Sequence, residues 1–319
     1  MRYLLRRLLW TIPVLLTISL ITFGLMHAAP GGPWDRGGLR RLPPSVVENL
    51  NRQFNLDRPL WEQYTRYMLN ALRGDLGPSY QFRDRGVSEI LFAPPTGRPA
   101  WESRFGRTAT LGLLALVIAV AVGLPLGVVA ALKPHTWLDT LSLAVATWGT
   151  AVPNFVLAVF FIIVFGLWLH VFPVAASDWN DPRAWVLPAV VLSFGTMAYL
   201  ARLVRASLRD ALLQDYIRTA RAKGVAERGV ILRHALRNSL LPVVTYLGPT
   251  LAMLITGSFF VEYIFSFPGL GRLFVQAVSQ RDYSMIMGTT LFYGLLISLA
   301  NLGVDLAYGW LDPRLHQDE

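Results

Sequence analysis

Gln214 to Pro242 reads Q-D-Y-I-R-T-A-R-A-K-G-V-A-E-R-G-V-I-L-R-H-A-L-R-N-S-L-L-P, a basic run set between stretches apolar enough to lie in lipid. Widened to Arg202–Arg237, it holds nine basic residues (Arg202, Arg205, Arg209, Arg218, Arg221, Lys223, Arg228, Arg233, Arg237) against three acidic ones, Asp210, Asp215 and Glu227. A charge at bilayer depth costs about 2.5–3.5 kcal/mol, whereas each interspersed Leu or Val returns only about a few tenths. The segment therefore faces water.

Around it, 54% of the 319 residues are hydrophobic and 15% charged, with a mean hydropathy of +0.44. That charge content is far below the roughly 25% of a soluble domain, so the chain reads as a polytopic, all-α membrane protein. Its net charge of +9 does not imply nucleic acid, because six of those units lie in Arg202–Arg237; a water-facing membrane loop explains them. With no cysteine, disulfides, thiolate zinc sites and iron–sulfur clusters are excluded.

Six apolar spans can be drawn. Met1–Arg7 carries three arginines and leads into Leu8–Ala28, long enough for one crossing. A cleaved signal peptide competes for this stretch, but the core is long and no clear A-x-A site follows. The arginines place the N-terminus in the cytoplasm. Thr108–Leu132 is the second span, with Gly123, Pro125 and Gly127 permitting close helix approach. Leu138–Phe172 is apolar for 35 residues, too long for one straight helix across roughly 30 Å of hydrocarbon. Pro153 marks the expected break, and Pro153, Asn154 and Phe155 read either as a hinge or pathway lining or as a packing kink. Trp185–Leu203, Leu240–Val261 and Met285–Leu311 complete the set. With the N-terminus inside, Lys133 and the basic segment fall inside, Asp178, Asp181 and Asp282 outside, and the tail 312–319 inside, as the positive-inside bias requires.

Between the first two spans, residues 30–103 mix ten basic and eight acidic residues with Gly, Pro and aromatics. Helical apolar spacing at Trp61, Tyr64, Tyr67, Met68 and Leu72 predicts a folded external insertion, serving as a packing lid or as a docking surface for an external partner. Leu270, Leu273, Phe274, Ala277 and Val278 form an amphipathic stripe, expected to lie at the outer interface as a connector. Residues 1–29, 30–103, 104–311 and 312–319 are thus read as first span, insertion, five-helix core with the loop 202–238, and tail.

The chemistry of an enzyme or an ion-driven carrier is missing. The only lysines are Lys133 and Lys223, so no Walker A loop exists. H-E-x-x-H and G-x-S-x-G are absent, and His27, His135, His170, His234 and His316 have no metal-ligand spacing. Glu262 and Asp305 fall near span ends, where structural pairing or interfacial exposure is expected. No catalytic residue, bound cofactor or metal is assigned to this chain, and its energy source is expected on another polypeptide.

Within the basic segment, Asp215-Tyr216-Ile217 opens a short helix, Ile217 to Lys223, whose small residues Ala220 and Ala222 leave the backbone lightly covered before Gly224 ends it. A second helix, Glu227 to Asn238, returns to the membrane. Such a knob suits a cleft on another protein or, equally, an interfacial hairpin on anionic lipid.

Arg218–Gly224, R-T-A-R-A-K-G, followed by H-A-L-R-N-S-L-L-P from His234 to Pro242, resembles the "EAA" loop of binding-protein-dependent ABC importer permeases of the dipeptide, oligopeptide and nickel branch. So do the opening M-R-Y-L-L-R-R-L-L, V-P-N-F at Val152–Phe155, F-P-G-L-G-R-L at Phe267–Leu273 and N-L-G-V-D-L-A-Y-G-W-L-D-P-R at Asn301–Arg314. The resemblance implies a six-helix type I permease fold with a large insertion after helix 1, in the inner (cytoplasmic) membrane with both termini cytoplasmic. It implies that Arg218, Thr219, Ala220, Arg221, Ala222, Lys223 and Gly224 form a coupling helix docking into an ATPase. Gly224 and Ala220 match the family's glycine and second alanine, while Arg218 and Thr219 stand where the general motif has Glu and Ala. The implied partners are a second, related permease, two ATPases carrying ATP and Mg, an external solute-binding protein, membrane lipid and a peptide substrate. A nickel chelate is the alternative cargo, disfavoured because no intramembrane His, Met or carboxylate cluster is evident.

Overall fold

The computed structural model describes residues 2–35, 42–82, 84–174 and 178–311. The tail 312–319 and the side chain of Asp305 lie outside the described residues. Among those described there are helices and no strands: α1 (Arg2–Ala28), α2 (Pro44–Gln53), α3 (Leu60–Ala71), α4 (Val87–Phe92), α5 (Arg104–Leu132), α6 (Trp137–Ala151), α7 (Asn154–Phe161, running on as π-helical Ile162–Trp168) and α8 (Arg183–Leu212). Then follow α9 (Asp215–Ala222), α10 (Glu227–Gly229, continued by π-helical Val230–Ala235 and by Leu236–Ser239), α11 (Leu241–Thr256), α12 (Phe259–Ile264), α13 (Leu270–Ser279) and α14 (Tyr283–Leu311).

Five stretches are long and apolar enough to cross a membrane: Leu9–Ala28, Arg104–Leu132, Arg183–Leu212, Leu241–Ile264 and Tyr283–Gly303. The pair α6–α7 supplies a sixth if taken as one broken span, bent by 111°. The break falls where the sequence put it. Val152 leaves α6 in an extended conformation and Pro153, at φ −60° and ψ 141°, stands just before the first turn of α7, where a missing N–H deprives no helical bond.

In the fifth span neither Pro242 nor Pro249 ends the helix. The interruption lies instead at Gly257, whose φ of +81° is accessible to glycine, and at Ser258, whose hydroxyl accepts the Val261 amide and caps α12. Glu262 on α12 is fully buried. Of its two expected fates, interfacial exposure is ruled out, because α12 packs inward through its neighbours Val261 and Phe265.

The chain divides into two compact units, residues 1–108 with 268–302, and residues 109–267 with 303–319. In the first, Met26 of α1, Val87, Ile90 and Leu91 of α4, Leu270, Leu273 and Ala277 of α13, and Tyr283, Met285, Ile286, Met287 and Tyr293 of α14 form one apolar core, flanked by Tyr64, Tyr67, Leu76 and Tyr80. Helix α13 is therefore a core element of this unit and not the interfacial connector its stripe suggested: Leu270, Gly271, Leu273 and Ala277 are buried. Polar groups pin the insertion to this core. Buried Asp282 accepts from the Ser79 hydroxyl, the Gln81 amide and the Met285 amide, the last capping α14. The Tyr283 hydroxyl donates to the Met26 carbonyl at 3.2 Å, and the Ser19 and Tyr64 hydroxyls meet at 2.8 Å. Burial pushes the phenol of Tyr80 up to about 12, and that of Tyr67 higher still.

In the second unit α8 is the helix against which the others pack. A Cβ at Gly123 or Gly127 of α5 would come within 2.8 Å of the Met197 carbonyl oxygen or 2.6 Å of that of Ala201. The glycines expected to permit close approach thus do so, backbone to backbone. On another side of α8, Gly149 of α6 abuts the Ala198 methyl. Leu157 and Ala158 of α7 pack with Leu187 and Val191 of α8 and with Val261 and Phe265, which fixes the direction α7 takes after the bend.

Candidate functional site

Helix α8 carries the chain to Leu212. Gln214, extended at ψ 152°, turns it into the eight-residue α9. The far end of α9 closes in the two-bond motif typical of a glycine terminator: the Val225 amide donates to the Ala220 carbonyl at 3.2 Å and the Gly224 amide to the Arg221 carbonyl at 3.0 Å. Gly224 has φ +78°, a left-handed conformation that disfavours any side chain. Arg221 then reaches across the turn to Glu227, with Nε and Nη2 at 3.1 and 2.6 Å from its two carboxylate oxygens. That guanidinium holds the Glu227 carboxyl below the ordinary carboxylate range.

One face of α9 is apolar and covered. Ile217 and Ala220, three residues apart, are buried with Ala131 of α5, Leu208 and Ala211 of α8, and Val230 and Ala235 of α10. The opposite face, with Tyr216, Arg218, Thr219, Arg221, Ala222, Lys223 and Gly224, is exposed. The structure thus gathers the seven residues singled out in the sequence on one turn-helix-turn, but sorts them. Ala220 is small because it packs inward, and the lightly covered outer surface belongs to Thr219, Ala222 and Gly224. Arg218 pairs at 3.6 Å with Asp215 in a wholly exposed contact.

Pro153, Asn154 and Phe155 sit together at the 111° bend. Phe155 is half exposed, its ring 6.1 Å from that of Phe260 on α12.

Sequence reading overlooked one arrangement. Asp139, in the first turn of α6, takes a two-pronged ion pair from Arg205 of α8, with Nε at 2.5 Å and Nη2 at 3.0 Å. Its side chain also accepts the His135 amide at 3.1 Å. The available signal was an acid standing at the mouth of an apolar run, with a basic residue of the loop tally 66 positions away to answer it. Among the described residues no group of three or more His, Asp or Glu is placed to hold a metal ion.

A family model described as the binding-protein-dependent transport system inner membrane component matches residues 123–317, covering the end of α5 and all of α6 to α14, α9 and its flanking turns included. The chain belongs to this family. A second model, for the N-terminal part of such membrane components, matches residues 1–81. Among this family's members, the dipeptide transport system permease protein DppB of Bacillus subtilis is 42% identical over 314 residues, covering 98% of this chain and 97% of that protein. The oligopeptide transport system permease protein OppB of Escherichia coli is 38% identical over 317 residues, covering 99% of both. The glutathione transport system permease protein GsiC of Shigella flexneri is 38% identical over 316 residues, covering 99% of both. Membership makes the chain a multi-pass inner membrane transport component.

Proposed function

We propose that the chain is the permease subunit of an ATP-driven importer that moves dipeptides or oligopeptides across the inner membrane. It pairs with a second, related permease, two ATPase subunits that carry ATP and Mg, and an external solute-binding protein. The named relatives serve dipeptides, oligopeptides and glutathione, which turns the choice of cargo away from a nickel chelate. The charge bias of the short loops puts α9 and both termini on the cytoplasmic side.

The observation that carries this reading is the two-sided construction of α9. Its outer face offers short side chains and an achiral turn residue to a cleft, and its arginines and Lys223 form the rim. Its inner face is joined through Ile217 and Ala220 to α5, α8 and α10. A push on α9 therefore reaches the membrane helices through packed contacts. In the resulting cycle the loaded binding protein docks outside, ATP-driven closure of the ATPases displaces α9, and the helices rearrange by alternating access, with Pro153, Asn154 and Phe155 as hinge or pathway lining.

The cysteine-free sequence allows a direct test. A single cysteine at Ala222 is expected to cross-link to the ATPase subunit in the assembled complex. Gly224→Trp is expected to lower uptake of radiolabelled dipeptide by at least about tenfold, a factor within the usual range for coupled sites, with unchanged membrane insertion. Full uptake by Gly224→Trp together with no cross-link from Ala222 would remove the coupling role.

A further inference from the structure

We propose that the Asp139–Arg205 ion pair is the joint that makes α6 travel with α8, so that displacement of α9 arrives at the bend at Pro153. This rests on the reading of α9 as the ATPase contact.

Helix α6 lies along α8 on one side only. Its buried residues are Asp139, Ser142, Ala146 and Gly149, a single seam along one side, and three of the four are too small to interlock with a neighbour. Trp137, Leu141, Leu143 and Trp148 are exposed. Half-buried Val145 adds one larger side chain to that seam, packed against the cluster of Met197, Leu200 and Val204. The directional contact is at its first turn, where the planar guanidinium of Arg205 grips both carboxylate oxygens of Asp139. Two parallel hydrogen bonds fix orientation as well as distance. Asp139 has a side-chain exposure of 5% and Arg205 of 19%, so both charges are largely withdrawn from water. Burying an ion pair contributes little net stability compared with an apolar pair of the same volume, and its best-attested use is to fix register.

The position suits that use. Arg205 lies two turns before the end of α8, which leads into α9 after Leu213 and Gln214. Asp139 is also tied to the His135 amide, so the turn between α5 and α6 is held at the same point. From there α6 runs unbroken to Ala151 and the bend. Asp139 and Arg205 are thus positioning residues: they touch no substrate, and they determine whether the far end of α6 follows α8.

Spin labels on Thr140→Cys and Ala206→Cys, both exposed, report the α6–α8 distance in the complete complex in liposomes. The expected distance is the same in nucleotide-free and ATP-trapped complexes. A distance that changes between those states overturns the proposal without recourse to any variant. In Asp139→Leu/Arg205→Met, which removes both charges and leaves neither unpaired, the distance is expected to broaden. Peptide moved per ATP hydrolysed should fall by at least about tenfold while ATP hydrolysis persists, a factor ordinary for coupled sites. The exchange Asp139→Arg/Arg205→Asp is expected to recover part of that ratio. An unchanged ratio in the assembled apolar variant also overturns the joint. If instead the α9 reading is at fault, the Ala222 cross-link fails while the distance between α6 and α8 still holds constant.

Discussion

The external insertion and the basic segment are both polar interruptions of an apolar chain and both carry exposed ion pairs, yet the insertion also buries polar groups that hold it in place. Where the insertion meets its core, Ser79 and Tyr67 on the insertion and Asp282 and Tyr283 at the start of α14 point inward and bond to one another's elements. In the basic segment, Arg218, Arg221 and Lys223 point out, and only Ile217 and Ala220 hold α9 down. Inward polar groups are hard to rearrange, because each broken bond leaves a buried group unsatisfied. Outward ones leave a surface free to be covered by something else. The first arrangement suits a fixed body, the second a contact that is made and remade.

The sharpest way to break this contrast is Ile217→Ala. Loss of a fully buried isoleucine costs about 2–5 kcal/mol, concentrated on an eight-residue helix with few other anchors. Hydrogen exchange of the 215–222 amides is expected to accelerate while that of α13 and α14 stays as it was. Next in size is Asp282→Ala, which removes the acceptor of the Ser79 hydroxyl and the Met285 amide. The cost is about 1–3 kcal/mol, read as faster proteolysis within residues 42–103 and unaltered exchange in α9.

The smallest effects come from pH and have opposite signs in the two regions. Tyr80, with its phenol raised to about 12 by burial, contributes stability that is complete below the ordinary phenol range near 10 and is lost as pH rises through about 12. Glu227, lowered by Arg221, contributes above the ordinary glutamate range and loses it as pH falls through its depressed value. Ultraviolet titration of the phenolates and carbon NMR of labelled glutamate should show alkali loosening the insertion while acid frees the α9–α10 turn.

How far the sequence could be read depended on whether the cause of a feature was local. Pro153 announced the break because a proline lacks its amide wherever it stands, and Gly224 announced the end of α9 because a left-handed terminator is a one-residue requirement. The 111° of the bend was not legible, since Leu157 and Ala158 take their direction from partners on α8 and beyond. Gly257 went unnoticed beside the more conspicuous Pro242 and Pro249, although its positive φ is what interrupts the span. That Ala220 faces inward and Ala222 outward was not legible from their shared smallness, because a helix of eight residues carries too little pattern, though Ile217 three residues before Ala220 was the available clue. The stripe of α13 was visible, but the insertion that covers it is distant in sequence. Asp139 and Arg205 needed the fold to bring them together.

The close approaches along α8 have a consequence in genetic terms. Gly149 is crowded by the methyl of Ala198, so a defect caused by Gly149→Ala has an intragenic suppressor within reach, Ala198→Gly. Gly127 is crowded by the carbonyl oxygen of Ala201, an atom every amino acid carries. No change of side chain at residue 201 removes it, and revertants of Gly127→Ala should restore the glycine or relocate a helix.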